Sequence, residues 1–530
     1  MQGESLPPSS IALPIRIIDE GWMADAGDIE PLIARGALSE AASALRMALL
    51  GRPERLDLMN LLAHVFQISL RAGPTSISVD RTPRESGEGL FLQGAAAIAA
   101  GRLDAADRSF RAGLAVDPAD YACRAALAVI VLIATQGDRI RVMLDDAGTV
   151  EVLRLENALR LTPIGRPIRG HALFAYYSET ILLPAGHPSF AAHTNRWESR
   201  CIARLLIGLG YVVDAVELGG PLPSQVETYD VVFCLHDGLA RMEGRLSPRA
   251  RKIMLLTGSS PDYQNRRELE RIAALAARRG KTCPPRRQIA HAERELDALA
   301  LADHCLLQGN AFTRSTYAAS LHAKTILIPV SGAVEARPPV PRSGPSASRH
   351  VLWHFGIGAI HKGLDLAVEA FLRNPGWTLE VVSQACDESD FLSIYGEAIR
   401  KACNVRLHGF QFPSSRQFRE IAGRCVAFLG TSCSEGTSTA CITGLQHGLV
   451  PILTRDCGVD LDSGFGATIE DDSIEAVERA VSQVLSLQAE ELARQGRLAR
   501  SRAESVYSRR AFTESVRSAF ERILPPLREA

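Results

Sequence analysis

The stretch VLWHFGIGAIHKGLDLAVEAFL, residues 351–372, decides the fold, and it is answered by TSCSEGTSTACITGLQHGLVPIL, residues 431–453. Each is an apolar strand, a turn of small residues and an amphipathic helix. In the first, Val351, Leu352 and Phe355 make the strand. Gly356 and Gly358 open the turn, Lys362 and Gly363 close it, and Leu364, Ala367, Val368 and Phe371 recur at helical spacing. Glycine after a strand lets the backbone approach a bound group closely. A helix start offers unpaired N–H groups and a positive dipole end, which suits phosphate. Lys362 adds a mobile cation beside it. In the second stretch Ser434, Glu435 and Gly436 occupy the turn. Gly436, Thr437, Ser438 and Thr439 bring backbone donors and hydroxyls, and Glu435 brings a carboxylate that accepts from hydroxyl groups.

Working outward, apolar strands alternate with helices over residues 170–330 and again over 351–485, which predicts two doubly wound parallel sheets. Residues 333–349, rich in Pro, Ser and Gly, read as the linker between them. A charged helical tail follows over 488–522. Functional groups in such sheets gather at the C-terminal ends of strands. In the first sheet these are His193, Thr194, Asn195 and Glu198, then His236 and Asp237, then the loop from Thr257 through Gly258 and Ser259 to Asn265. Simple helix capping by Thr194 or Asn195 is the bland reading of the first group. The basic run Arg278, Arg279, Lys281, Arg286, Arg287 reads as a solvated helix end in preference to a seat for an anionic acceptor or lipid headgroup.

Upstream, residues 31–135 are rich in Ala and Leu and read as successive helices. Leu90, Gly94, Ala97, Ala106, Phe110, Gly113 and Pro118 fall at the spacings of a tetratricopeptide repeat, and Ala41, Leu45, Ala48 and Pro53 repeat part of that pattern. A plain helical bundle is the alternative. Repeats of this kind hold a peptide or partner protein on their concave face. Residues 138–165 alternate polar and apolar around DDAG, a hairpin that closes the helical domain or begins the next. The expected division is a lead-in over 1–30, a helical TPR-like domain over 31–165, a first Rossmann-like domain over 166–335, a linker over 336–349, a second Rossmann-like domain over 350–500 and a C-terminal helix over 501–530.

The 530 residues suffice for two or three domains, and 46% hydrophobic with 22% charged residues describes an ordinary globular chain. A net charge of -1 gives no global field for nucleic acid or an anionic membrane. The 11 cysteines contain no C-x-x-C pair, which argues against zinc and against a disulfide framework and fits a reducing cytoplasm. The N-terminal MQGESLPPSS lacks the layout of a signal peptide. The apolar run from Ala125 to Ala134 is about half of what spans a bilayer and reads as a buried helix. No P-loop, G-x-S-x-G or H-E-x-x-H occurs.

The paired motifs resemble the C-terminal domain of the group 1 glycosyltransferases, retaining enzymes of the GT-B fold. Gly356, Lys362 and Gly363 match the spacing of that family's Gly-Arg…Lys-Gly signature, and Glu435-Gly436 matches the start of its Glu-Gly…Glu signature. Ile357 stands at the Arg position and Thr443 at the second Glu. His447-Gly448-Leu449-Val450-Pro451 resembles the family's entry into the next strand. The resemblance covers about residues 170–500. It implies a nucleotide-sugar donor bound by Gly356, Gly358, Lys362, Gly363, Ser434, Glu435, Gly436, Thr437, Ser438, Thr439 and Thr443, with Lys362 on the diphosphate and Glu435 on the sugar hydroxyls. His193 is the candidate acid or base. His354, His361, Arg455 or a residue of the first half are candidates to restore the missing positive charge. The acceptor, a glycan or a protein, would lie on the first half. The resemblance implies no cofactor and no metal. It points to cell-surface polysaccharide or lipopolysaccharide synthesis, or to glycosylation of proteins such as bacterial flagellin, in the cytoplasm or peripherally at the inner membrane. The alternative is a catalytically silent GT-B-like binding module with the helical repeats as an interaction scaffold.

Overall fold

The computed structural model describes residues 29–51, 56–72, 77, 86–117, 120–133, 139–144, 146–155, 157–183, 190, 193–332, 349–461 and 464–524. The expected lead-in, the linker over 333–348, Pro53 and Pro118 lie outside them. The chain divides into two compact units at Ile133/Ala134.

The first unit is helical: α1 (Glu30–Ala34), α2 (Leu38–Gly51), α3 (Leu56–Ala72), α4 (Gly87–Ala99), α5 (Leu103–Val116) and α6 (Tyr121–Ile133). Phe66, Phe91 and Phe110 form its aromatic centre, with ring centroids 5.6–6.4 Å apart. Small residues let helices close up: a Cβ on Gly94 would stand 2.4 Å from the Phe110 ring. The Arg46–Asp120 pair, 2.7 Å apart and buried, ties α2 to the start of α6. The apolar run expected to be a buried helix is α6. Among the described residues no helix is long and apolar enough to cross a membrane.

The second unit holds two sheets. The first contains β1 (Arg139–Leu144), β2 (Gly148–Arg154), β3 (Leu159–Pro163), β4 (Gly170–Tyr176), β5 (Tyr211–Glu217), β6 (Val231–Cys234), β7 (Arg251–Leu256), β8 (His304–Gln308) and β9 (Thr325–Ile328), in the order β1-β2-β3-β5-β4-β6-β7-β8-β9. From β5 to β9 the neighbours are parallel, and β1–β3 add an antiparallel meander at the β5 edge. The hairpin therefore begins the α/β unit, and the helical domain ends at about 133 and not at 165. The reason is side-chain chemistry across the β3–β5 seam: Arg160 donates twice to the buried Asp214 at 2.7 Å, and Tyr229 donates to the same carboxylate. The described helices of this half are α7 (Thr194–Gly208), α8 (Pro261–Arg279), α9 (Ala292–Leu301) and α10 (Ala311–Ser315).

The second sheet comprises β10 (His350–Phe355), β11 (Thr378–Ser383), β12 (Val405–Leu407), β13 (Ala427–Gly430), β14 (Val450–Thr454) and β15 (Ala467–Ile469). All are parallel in the order β12-β11-β10-β13-β14-β15, the doubly wound order that reverses between β10 and β13. Helices α11 (Leu364–Arg373), α12 (Ser389–Lys401), α13 (Arg416–Arg424), α14 (Thr439–Gln446) and α15 (Ile474–Leu485) accompany it. These strands are buried on both faces, so their sequences are continuous apolar runs.

The charged tail is two helices, not one. The first, α16 (Ala489–Val506), buries Leu492, Ala499 and Ala503 in the core of the second half, which therefore extends past 500. The chain turns at Tyr507, Ser508 caps the next helix, and α17 (Arg509–Ile523) returns to the first half. There Phe512 meets Trp197 at 5.9 Å and Phe520 meets Phe233 at 6.4 Å, edge-on.

Within the second sheet, Glu380 is fully buried and receives His350, His408 and Arg406. Burial works to raise its pKa, but the hydrogen bonds from His408 and His350 and the Arg406 charge outweigh it and hold it down to about 2. A carboxylate depressed below its unfolded value of about 4.3 stabilises the fold above that value and loses the contribution as pH falls toward 2. Glu380→Gln should cost about 2 kcal/mol at pH 6. Urea midpoints of the two proteins should converge as the pH is lowered to 3.

Candidate active site at the seam between the two halves

Because β10 pairs directly with β13, the turns after them stand side by side although 73 residues separate their key side chains. Gly363 adopts φ +74° at the N-cap of α11, where a Cβ would lie 2.3 Å from the Thr431 carbonyl. That close approach brings Lys362 over the second turn. Its ammonium lies 2.5 Å from the Glu435 carboxylate, is almost wholly buried, and sits 6.0 Å above the Phe355 ring. Ser432 donates to the same Glu435 oxygen at 2.8 Å.

The Glu435 turn is held from the opposite half. Ser259 donates to the Glu435 carbonyl at 2.7 Å, and the Thr437 amide donates to the Gln308 carbonyl at 2.8 Å. Gly436 is wedged so tightly that a Cβ would stand 2.4 Å from the Gln308 carbonyl oxygen and 2.5 Å from that of Thr257. The strand-end loops of the first half thus buttress the second motif, and Ser259 spends its hydroxyl there instead of facing an acceptor. Ser438 begins α14, and its amide donates to the Cys457 carbonyl. Thr439 opens the helix. Thr443 is buried and its hydroxyl donates back to the Thr439 carbonyl, so it is committed to its own helix.

The first turn holds an unexpected occupant. The amides of Gly358 and Ala359, free in the sequence reading, donate to the two Glu388 carboxylate oxygens at 2.5 and 3.0 Å. A carboxylate from the N-terminus of α12 takes the anion cradle. Between Gly358, His361, Glu388 and the loop after α8 remains a cavity of ≈ 10 Å³, about the room of one water. Further along the seam, a cavity of ≈ 380 Å³ opens between Tyr263, Arg266, Arg455 and Asp471.

His361 is buried, its Nε2 3.0 Å from the Ser434 carbonyl and its Nδ1 4.0 Å from Glu268. Burial, with Lys362, Arg287 and Arg271 nearby, pushes its pKa well below the usual imidazole range, so it is neutral and donates through Nε2. His354 is buried against the Val382 carbonyl, and burial lowers it to about 4. Neither histidine replaces a missing cation at neutral pH. Arg455 lies over the Phe312 ring at 4.4 Å.

On the first half, the α7 cap is His193 itself, accepting from the Asn195 amide, and not Thr194, which is buried, or Asn195. His193 as a residue is exposed, yet chain atoms crowd its ring. That desolvation, with Arg196 and Arg287 near, lowers its pKa. Asn195 donates to the Tyr177 hydroxyl at 3.1 Å. Glu198 is fully buried and bound to Gln308 at 2.7 Å and the Ser331 amide at 2.8 Å; it ties strand ends together and does not face a ligand. His236, at φ +51°, pairs with Glu295 at 3.3 Å, and Asp237 with Arg294 at 3.1 Å, which anchors both to α9. Gly258 offers its carbonyl to Tyr317.

Four of the five residues of the basic run contact the second half. Arg278 pairs with the buried Asp365 at 2.5 Å, Arg286 with Asp390 at 2.9 Å, Lys281 donates to the Ser393 carbonyl, and Arg279 lies over the Tyr395 ring. Leu275 and Cys283 enter the core of the second half. Arg271, also on α8, is buried with contacts to the Thr431 carbonyl and Asp472. The sequence reading missed Arg271, Glu388 and Tyr177. Their roles arise between elements remote in sequence, and no local spacing signals them.

Fold and site together describe a two-lobed α/β protein with its charged cluster at a topological switch point. No protein-family model matches the chain. It is 28% identical over 156 residues, 28% of this chain and 40% of the relative, to a GDP-mannose:cellobiosyl-diphosphopolyprenol alpha-mannosyltransferase of Xanthomonas oryzae pv. oryzae (strain PXO99A). The chain spans 40% of the length of the curated relatives it matches. Among solved structures, it is similar to sucrose-phosphate synthase from Thermosynechococcus elongatus at 14% identity and a TM-score of 0.47, over 67% of this chain and 99% of that one. It is also similar to Anabaena Alr3699/HepE in complex with UDP and glucose at 12% identity and a TM-score of 0.43, over 66% and 99%.

The packing at Gly436 gives a direct test. Gly436→Ala drives a methyl into two backbone carbonyls of the opposite half, which must yield. It should cost about 1–3 kcal/mol and increase the radius of gyration measured by small-angle scattering. An unchanged melting temperature and radius would show that the wedge is not tight.

Proposed function

We propose that this chain is a glycosyltransferase of GT-B type that moves a sugar from a nucleotide-sugar donor, without a metal and with retention of configuration. The observation that carries the proposal is the buried Lys362–Glu435 pair at the switch point of the second sheet. It sets an ammonium suited to a diphosphate beside a carboxylate suited to sugar hydroxyls. The mannosyltransferase name of the relative supports the same class.

In this reading the donor lies mainly on Lys362, Glu435 and the side chains of the turn from Ser434 to Thr439, since the Thr437 and Ser438 amides already serve chain carbonyls. The start of α14 and Lys362 stabilise the charge of the leaving diphosphate. The ≈ 10 Å³ left at the glycine turn is too small for a phosphate, so donor entry requires the loop after α8 to withdraw from the second half. The acceptor, a glycan or a protein, lies against the first half near Tyr177, His193 and Asn195. His193, with its Nδ1 taken by the Asn195 amide, presents Nε2–H there as a donor to the acceptor. The helical unit, read as TPR-like repeats, holds a protein partner or acceptor. The setting is cytoplasmic or at the inner face of the membrane, in surface polysaccharide synthesis or protein glycosylation.

Titration calorimetry with UDP, GDP, CMP and their sugars tests the donor site. One nucleotide class should bind, and Lys362→Ala should weaken it about tenfold to a hundredfold. No binding by any of them would remove the donor reading and leave a scaffold of the same fold.

A further inference from the structure

Burial first, and then three nearby cations, Lys362, Arg287 and Arg271, disfavour a charge on His361. Lys362 is matched by Glu435 and Arg271 by Asp472. Arg287 is different. Among the described residues its guanidinium has no hydrogen-bond or ion-pair partner, and the residue is exposed. Its backbone is nevertheless tied to α8. The Arg287 amide donates to Glu268 at 2.8 Å, and its carbonyl accepts from Gln264 at 2.6 Å.

Its stem lies flat on the first turn. A Cβ on Gly358 would stand 2.8 Å from Arg287 Cγ, so glycine at φ +95° gives the stem its place. That contact sets a residue of the first half against a turn of the second, and its charge is felt by both His193 and His361. The turn itself brings no cation beyond Lys362: Ile357 is 47% exposed and apolar, and the turn amides are occupied by Glu388. An incoming anion at the glycine turn therefore meets Arg287, a charge that no described residue matches and that comes from the opposite half.

We infer that Arg287 is the second cation of the donor-diphosphate site, reaching from the loop after α8 across the glycine turn to the phosphate remote from the nucleoside. This rests on the donor reading above and adds to it a binding residue on the half otherwise assigned to the acceptor. A diphosphate then bridges the lobes through Lys362 and Arg287, whereas a nucleoside monophosphate reaches Lys362 alone.

The test compares UDP with UMP, and GDP with GMP, by calorimetry on the full chain. Arg287→Ala should weaken the diphosphate about tenfold and the monophosphate less than about twofold. In that background Ile357→Arg, which returns a cation to the neighbouring position, should restore most of the lost diphosphate affinity. Melting curves of both variants check that they fold; Arg287→Ala removes a side chain that has no hydrogen-bond or ion-pair partner among the described residues. Equal losses for monophosphate and diphosphate, or no loss for either, would overturn the assignment while leaving the donor site in place. Failure of the unaltered protein to bind any nucleotide would overturn it together with the reading it rests on.

Discussion

The parallel pairing of β10 with β13 is the contact on which the site depends. Val351 beside Ala427 and Leu352 beside Phe428 fix the register of the two central strands, and the turns beyond them have no choice but to meet. Glycine at 363 permits the closest part of that approach, because its missing Cβ leaves room for the Thr431 carbonyl. Lys362 and Glu435 are then driven together in a largely buried place. Such a pair costs desolvation that its own attraction only partly offsets, so it is weak evidence of a stabilising role. What singles the pair out is its place at the switch point of the sheet, not its contribution to stability.

The second constraint is the clasp between the halves. Helix α8 belongs to the first half by chain connectivity, yet it places Leu275 in the other half's core and Arg278 on buried Asp365. Arg267 joins the same clasp through Asp472, and Tyr263 through Asp456. Helix α17 makes the return crossing, with Phe512 and Phe520 seated on Trp197 and Phe233. Two lobes linked twice by covalent chain and by such contacts can move only as hinged bodies. That suits a site whose cations are divided between them.

The neutral histidines narrow the chemistry. Burial keeps His354 and His361 from carrying charge near pH 7, with cations beside His361 adding to it, and His193 is shifted the same way. Positive charge at the seam must come from Lys and Arg, whose protonation does not vary over the physiological range.

Several features were legible in the chain itself because they rest on local rules. Apolar runs bounded by glycine announce buried parallel strands, helical spacing from Leu364 to Phe371 announces α11, and the glycine at 363 announces a backbone that no side chain tolerates. The separation into two α/β halves follows from their alternation, whereas the return of the tail to the first half did not show in it. The hairpin at 139–154 was ambiguous because it joins the sheet through β3, whose partner β5 lies some fifty residues later. Glu198 and Ser259 looked like ligand groups because polar residues at strand ends usually are, and only packing shows that they bind chain instead. The basic run gave no hint of the acidic face of α11 and α12 that it grips, nor did Glu388 announce that it would fill the glycine turn. Sequence determined which elements form, since that depends on periodicity and backbone freedom. Which charges meet was decided by the tertiary structure, since a charge is matched by whatever the fold sets within about 4 Å of it, at any distance along the chain.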